Sequence, residues 1–362
     1  MLKHMRAVAV ATVATAGALV AGSFTGGQAS AETIKLKIGA GHVPAGLWVQ
    51  TIRDFYMPRL AERVEKETGN KIDWTAGWGG SLCKIGECLE AVESGLLDMA
   101  DVHVPTEPAK LLVHNFTYFA PFGSPDPRVV AKAVAELYDK VPALKKVLED
   151  RYSQVFVGAG VVGNYGLVTN FKWDKVSELK GRKIAAIGPN FAWLQGTGAV
   201  PVQSNLNEAY TSMQSGVYEG WVMLAEPTVS FKLNEVSKLF VDMDYGAIHT
   251  PLLTMNKDTF KALPPAVQKI VLEVGKEFNA KMGDVTYQKQ VESGKKLKDF
   301  GVEVRQASPE VKAEYAKQLA NVSKVRFEEI NKAGMPGEVI YEYVKVLKAA
   351  GHKFPRDWAA ER

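Results

Sequence analysis

The chain has 362 residues, 23% of them charged, with a formal net charge of +4. Lys3 and Arg6 lie in the first 31 residues, which hold no acid, so 42 basic and 40 acidic side chains remain beyond them. That near-neutral balance, without a Lys/Arg block, speaks against nucleic acid or an anionic membrane as a partner.

The N-terminus reads as an address. Lys3, His4 and Arg6 precede an apolar run from Ala7 to Val20, and Ala29-Ser30-Ala31 forms an A-x-A site before Glu32. This is the pattern of a cleaved secretory leader, residues 1–31, and it predicts a periplasmic protein. The apolar run is shorter than the roughly 20 residues a membrane span needs. No second span follows.

The remaining chain opens on an alternating stretch, Thr33–Gly39, with Ile34, Leu36 and Ile38 on one face. This predicts a half-buried strand. A Gly-rich loop through His42 and Pro44 leads to a helix ending near Thr68, where Gly69-Asn70 closes it. Ile72–Thr75 reads as a strand, Gly77–Ser81 as a loop, Leu82–Ser94 as a helix and Met99–Val104 as a strand. The order predicts a parallel or mixed α/β sheet with helices on its faces.

The pattern restarts with Gln154–Val162, Tyr165–Thr169, Lys183–Ile187, the helix Asn207–Ser215 and the strand Gly220–Met223. Val236–Asp242 and a long extended stretch, His249–Asn256, follow. Pro264–Lys281, a charged run to Lys298 and Pro309–Lys332 read as helix, with Pro264 and Pro265 at a start, where a missing N–H costs nothing. Two successive α/β units imply two lobes: 32–162 with 249–290, and 163–248 with 291–362. A cleft between such lobes commonly holds a small molecule.

Only two cysteines occur, Cys83 and Cys88. On one continuous helix they would face about 140° apart, so a bridge requires the helix to begin after Cys83 or its first turn to be distorted. No metal site is expected, because no His or second Cys pair sits at ligand spacing. No cofactor motif occurs either: G-x-S-x-G, Walker A and H-E-x-x-H are all missing. His42, His103, His114 and His249 are scattered, and a lone His is ordinarily a surface or structural residue. The aromatic residues say more. Trp48, Trp78, Trp193 and Trp221 fall at loops or element ends, where they can wall a ligand and orient it through the indole N–H.

Between Asn164 and Val236 the residues form a series. It runs Val168-Thr169-Asn170, Glu178-Leu179-Lys180-Gly181-Arg182-Lys183-Ile184, Gly198-Ala199-Val200-Pro201-Val202, Glu208 to Gly220, and Phe231-Lys232-Leu233-Asn234-Glu235-Val236. Gly80-Ser81-Leu82, Gly95-Leu96-Leu97-Asp98 and Leu263-Pro264-Pro265-Ala266-Val267-Gln268 extend it. The combination resembles the extracytoplasmic solute receptors of TRAP (tripartite ATP-independent periplasmic) transporters. That resemblance implies a two-lobed α/β clamp, each lobe a mixed sheet flanked by helices, joined by crossing strands and a long helix. It implies a monomeric, non-enzymatic receptor that captures a small organic acid and passes it to the transporter's membrane subunits.

The departures bear on the solute. Where typical members place a carboxylate-clamping Arg this chain has Ala185, a second Arg position falls on Tyr165, and a polar Asn position on Met223. Arg182, three residues before Ala185, points to the opposite face of a strand. His103 falls about where some members put a pocket carboxylate. The expected pocket thus comprises His42, Trp48, Trp78, Ser81, His103, Tyr165, Ala185, Asn190, Trp193, Trp221 and Met223. Its solute is either neutral or aromatic between Trp and Tyr faces, or an acid held at a helix N-terminus near Asn190–Trp193 with His42 or His103 helping. A cation in an aromatic cage is a third reading. The rival classes are an exported enzyme using Glu219, Glu226 or His103, and a sensory receptor built on the same clamp.

Overall fold

The computed structural model describes residues 31–360, so the expected leader lies outside them except for Ala31. Ten strands are present among the described residues. They are β1 (Thr33–Ala40), β2 (Lys71–Gly77), β3 (Met99–His103), β4 (Gln154–Thr169) and β5 (Lys183–Ala186), then β6 (Val200–Gln203), β7 (Gly220–Leu224), β8 (Leu239–Asp242), β9 (Ala247–Asn256) and β10 (Glu303–Gln306).

The strands join edge to edge in the order β2-β1-β3-β9-β4-β7-β5-β6, and β10 pairs with β8, which also pairs with β4. β1 is parallel to β2 and β3, whereas β9 runs antiparallel to both β3 and β4. β5 is parallel to β6 and β7. The mixed α/β class expected from the alternating elements is what forms.

β4 is the shared member of the two halves of this sheet. Its residues Gln154–Asn164 pair with β9, and beyond Asn164 one edge passes to β8 while the other takes up β7. The sequence suggested two strands here. They fuse because Gly163 and Asn164 stay extended through a bulge instead of turning. The register with β9 slips three times, between Phe156 and Gly158, Ala159 and Val161, and Val162 and Asn164. Each slip leaves backbone groups without a ladder partner, and a buried N–H or C=O must find another.

The helix Pro265–Asp299 supplies those partners. Asn279 Oδ1 accepts from the Ala159 N–H at 2.6 Å, Thr286 Oγ1 donates to the Val161 carbonyl at 3.0 Å, and Gln290 Oε1 accepts from the Asn164 N–H at 2.7 Å. These residues lie seven and four apart, so one helix face follows the bulged strand across both halves. The approach is close. A Cβ added at Gly275 would stand 1.9 Å from the Val157 carbonyl oxygen.

Other elements differ from the sequence expectation for local reasons. The helix expected over Leu82–Ser94 starts only at Cys88 (Cys88–Glu93), and Cys83 and Cys88 form a disulfide with Cα atoms 5.0 Å apart. The late helix start is the condition that bridging required. Pro309–Lys332 divides into Pro309–Gln318 and Val322–Lys332, because Asn321 caps a new helix by accepting from the Lys324 N–H. The first long helix carries a π turn, Ile52–Tyr56, just ahead of Pro58, which has no N–H to donate. No described helix is long and apolar enough to cross a membrane.

Gly275→Ala should therefore cost about 2 kcal/mol or more, the range of core overpacking, because the blocking atom is backbone. Thermal unfolding against the parent protein measures it, and a control Gly→Ala change at Gly294, where a Cβ meets nothing, should not destabilise.

Candidate functional site

The C-terminal ends of β1 and β3 lie side by side, the register pairing Ala40 with Asp101. Open α/β sheets tend to bind ligands just beyond such strand ends. In β3, Asp101 and His103 are two residues apart and so share a face. The loop leaving β1 brings His42 over them. Trp48, at the start of the helix Leu47–Thr51, completes a packed group of rings. The ring centres are 4.4 Å apart for His42 and His103, 5.1 Å for His42 and Trp48, and 4.9 Å for Trp48 and His103.

His42 is held in place from behind by the disulfide loop. A Cβ at Gly41 would meet the Ile85 nitrogen at 2.4 Å, so only glycine lets the Lys84-Ile85-Gly86 segment pack there. Burial, and then the charge of His103, lowers the pKa of His42 to about 3, with Asp101 opposing, so its imidazole is neutral at pH 7.

A cavity opens in front of these rings, with about 590 Å³ of space between atoms, its open mouth included. The half of the sheet around β1 and β3 contributes His42, Trp48, His103 and Thr106, while the half around β7 contributes Trp221, Met223 and Leu224. Tyr165 of β4 and Tyr118 form the floor, their hydroxyls 3.5 Å apart. Burial raises the pKa of both phenols, so both stay protonated. A second compartment of about 390 Å³ shares Trp48, Val162, Leu224 and Pro227 with the first and adds Glu226 and Lys289. No Arg or Lys lines the main cavity. A larger recess around Tyr138, Lys145 and Lys276 is lined by neither sheet end nor any of these rings.

Six of the residues expected at the site thus come together here: His42, Trp48, His103, Tyr165, Trp221 and Met223. The other five lie elsewhere. Trp193 is fully buried behind the floor, its indole N–H donating to the Tyr118 carbonyl at 2.9 Å and its own carbonyl accepting from the Tyr315 hydroxyl. Asn190 is buried in the same layer, its amide close to the Tyr165 hydroxyl without a hydrogen bond of regular geometry. Gly188–Trp193 is one short 3₁₀ segment, and of this region only Ile187 lines the cavity. An anion site at Asn190–Trp193 has no opening to serve.

Ala185 is also fully buried, paired in register with Trp221. Both side chains stand on one face of the sheet, so the indole covers the small residue. Arg182 turns away, as the strand period requires, to Glu219 at 2.6 Å and the Phe171 ring. Trp78 packs partly buried against the core, and Ser81 is exposed on the loop before the disulfide.

Asp101 escaped the sequence reading, and it is the most unusual residue present. It is 2% exposed, and neither carboxylate oxygen accepts a hydrogen bond. The nearest ring nitrogens are the Nδ1 of His42 at 3.9 Å and of His103 at 3.8 Å, both beyond hydrogen-bond range. Asp-x-His on one strand face was the signal available, but its third partner is 59 positions earlier and needs the β1–β3 register. The Thr250 hydroxyl and the indole N–H groups of Trp48 and Trp221 are likewise buried without partners beside the cavity.

His114 and His249 form a structural chain. The Gly160 carbonyl can only accept, so His249 Nδ1 donates to it at 2.9 Å and Nε2 accepts from Tyr138, whose oxygen accepts from His114 Nδ1 at 2.7 Å.

The bacterial extracellular solute-binding protein family 7 model matches residues 53–330, and the chain belongs to that family. It is a solute-binding protein of the kind that serves TRAP transporters. A solute-binding protein of Albidiferax ferrireducens is 26% identical over 274 residues, 72% of this chain and 77% of the relative. Among solved structures, a marine-metagenome TRAP solute-binding protein specific for aromatic acids, holding 3-hydroxybenzoate, superposes with a TM-score of 0.75 at 21% identity. That match covers 88% of this chain and 99% of the other. A Bordetella pertussis receptor binding pyroglutamic acid gives 0.70 at 18% identity over 87% and 99%.

The buried histidines set a pH dependence. Burial lowers His114 to about 3 and His249 to about 4, against an unfolded value near 6.5. The unfolded chain binds more protons between those values, so their contribution is complete above about pH 6.5 and is lost as pH falls. Asp242, raised to about 7 by burial and by Asp244, acts in the opposite sense. His249→Gln should lose about 2 kcal/mol less stability than the parent between pH 7 and pH 5, read from denaturant midpoints at each pH.

Proposed function

We propose that the chain is exported, loses residues 1–31, and captures a small aromatic or similarly flat organic acid between two lobes that close on it. The lobe boundaries are those read from the sequence, near 162, 249 and 290. The observation that supports this most is the cavity between the sheet halves: apolar and aromatic walls, polar groups gathered at the His42–His103 end, and no guanidinium. Pockets for small molecules are commonly mostly apolar, with a few polar groups to fix orientation. Structural neighbours that hold 3-hydroxybenzoate and benzoate share the fold and favour an aromatic acid. The solute then passes to the membrane subunits of a TRAP-type transporter.

The chain acts as a receptor and not as a catalyst. Glu219 is engaged with Arg182, and Glu226, its pKa raised by burial, lines the second compartment, which the two imidazoles do not line. One observation favours a second reading. A buried carboxylate, Asp101, in the recess that adjoins the aromatic-walled cavity through His42 and His103, also suits a cationic amine.

A thermal-shift screen of ligand-stripped protein against aromatic acids, aliphatic acids and quaternary amines tests this. A ligand at 100 times its Kd adds about 2.7 kcal/mol of stability. Stabilisation by acids supports the first reading, and stabilisation by amines alone supports the second. Met223→Trp should fill the cavity and weaken the best hit at least tenfold while leaving Tm near that of the parent. Unchanged affinity would place the solute elsewhere. Ala185→Arg should not restore an acid clamp, because Trp221 occupies the space; it should instead destabilise by several kcal/mol as a guanidinium is buried unpaired.

A further inference from the structure

We infer that His42, Asp101 and His103 form a binding site for a divalent transition metal such as Zn²⁺, open toward the solute cavity. The ligand atoms of these three side chains all lie within 4.8 Å of one another. Each Nδ1 is within 3.9 Å of a carboxylate oxygen of Asp101. In a tetrahedron with bonds of about 2.1 Å the ligands stand about 3.4 Å apart, so the ligand atoms must draw together by up to about 1.4 Å to complete the site.

The independent observation is Asp101 itself. A carboxylate this buried, with both oxygens lacking a donor, is costly unless something positive compensates it. No Lys or Arg lines the recess that Asp101 shares with the two imidazoles. The imidazole nitrogens, at 3.8 and 3.9 Å, make no hydrogen bond to Asp101. They are, however, good ligands for a metal. Two nitrogens and one carboxylate suit Zn²⁺ and its neighbours, while Ca²⁺ and Mg²⁺ favour all-oxygen sets.

Three protein ligands leave a fourth position free, as in zinc sites that take an exogenous group. His42 and His103 line both the recess and the main cavity, so that position faces the solute. The cation would offset Asp101 and receive a carboxylate oxygen of the solute, supplying the charge that Ala185 does not. This last role rests on the organic-acid reading above; the metal site does not.

Calorimetric titration of the chelator-stripped, full-length mature protein with ZnCl₂ alone tests the site. The expected result is one equivalent bound with Kd below about 1 µM, weakened at least 100-fold in His103→Ala and in Asp101→Asn. His42→Ala, on a loop, provides a variant whose folding is less at stake, and melts in EDTA confirm that each variant folds. Co²⁺ should give the intense visible bands of a four-coordinate site. No saturable Zn²⁺ binding, or an affinity unchanged from the parent in both His42→Ala and His103→Ala, overturns the inference. Repeating the acid screen with Zn²⁺ and with EDTA separates the two claims. Acids that stabilise only with Zn²⁺ support the bridging role. Acids that stabilise equally in EDTA leave the solute reading standing and overturn that role.

Discussion

The pairing of a bulged β4 with the face of the helix Pro265–Asp299 is the constraint on which the rest of this molecule depends. β4 belongs to both halves of the sheet, and three slips in its register with β9 would leave buried backbone groups unpaired. Asn279, Thr286 and Gln290 answer those groups in turn. The close approach they need is possible because Gly275 carries no side chain. A strand interrupted in this way can change partner from β9 to β8 without a chain break, which sets the two sheet halves at the positions that enclose the cavity.

That arrangement explains why the polar and apolar parts of the cavity come from different places. The β1–β3 end contributes the imidazoles, with the Asp101 carboxylate in the recess behind them, held by parallel register and by the disulfide loop packed on Gly41. β7 contributes Trp221 and Met223, two residues apart on one strand face. Trp193 stands one layer back, where it holds the Tyr118 carbonyl, and Asn190 is buried in the same layer. A change of one layer separates a wall from its support.

Electrostatics then distinguishes this cavity from one built on a guanidinium clamp. Ala185 is buried and pairs in register with Trp221, and no Arg or Lys lines the cavity. Negative charge is instead concentrated at Asp101, beside two imidazoles, one of which burial keeps neutral. An uncompensated carboxylate in a dry site is strongly unfavourable, which is the electrostatic basis of the metal site proposed above.

The sequence by itself determined the strands whose period-two alternation is unbroken, the α/β class, and the family, through motifs spread from Asn164 to Val236. It also named six of the residues that line the cavity: Trp48 and Trp221 as aromatics at element ends, His103, Tyr165 and Met223 through the resemblance, and His42 as a helper for an acid. What only the tertiary structure decided is which residues share a space. Whether Gln154–Thr169 is one strand or two depended on a helix more than a hundred residues later. Asp101 meets His42 only because β1 and β3 pair in parallel with Ala40 opposite Asp101. Alternation along a strand records which face a side chain takes, but register between strands is set by long-range packing, and no local pattern encodes it.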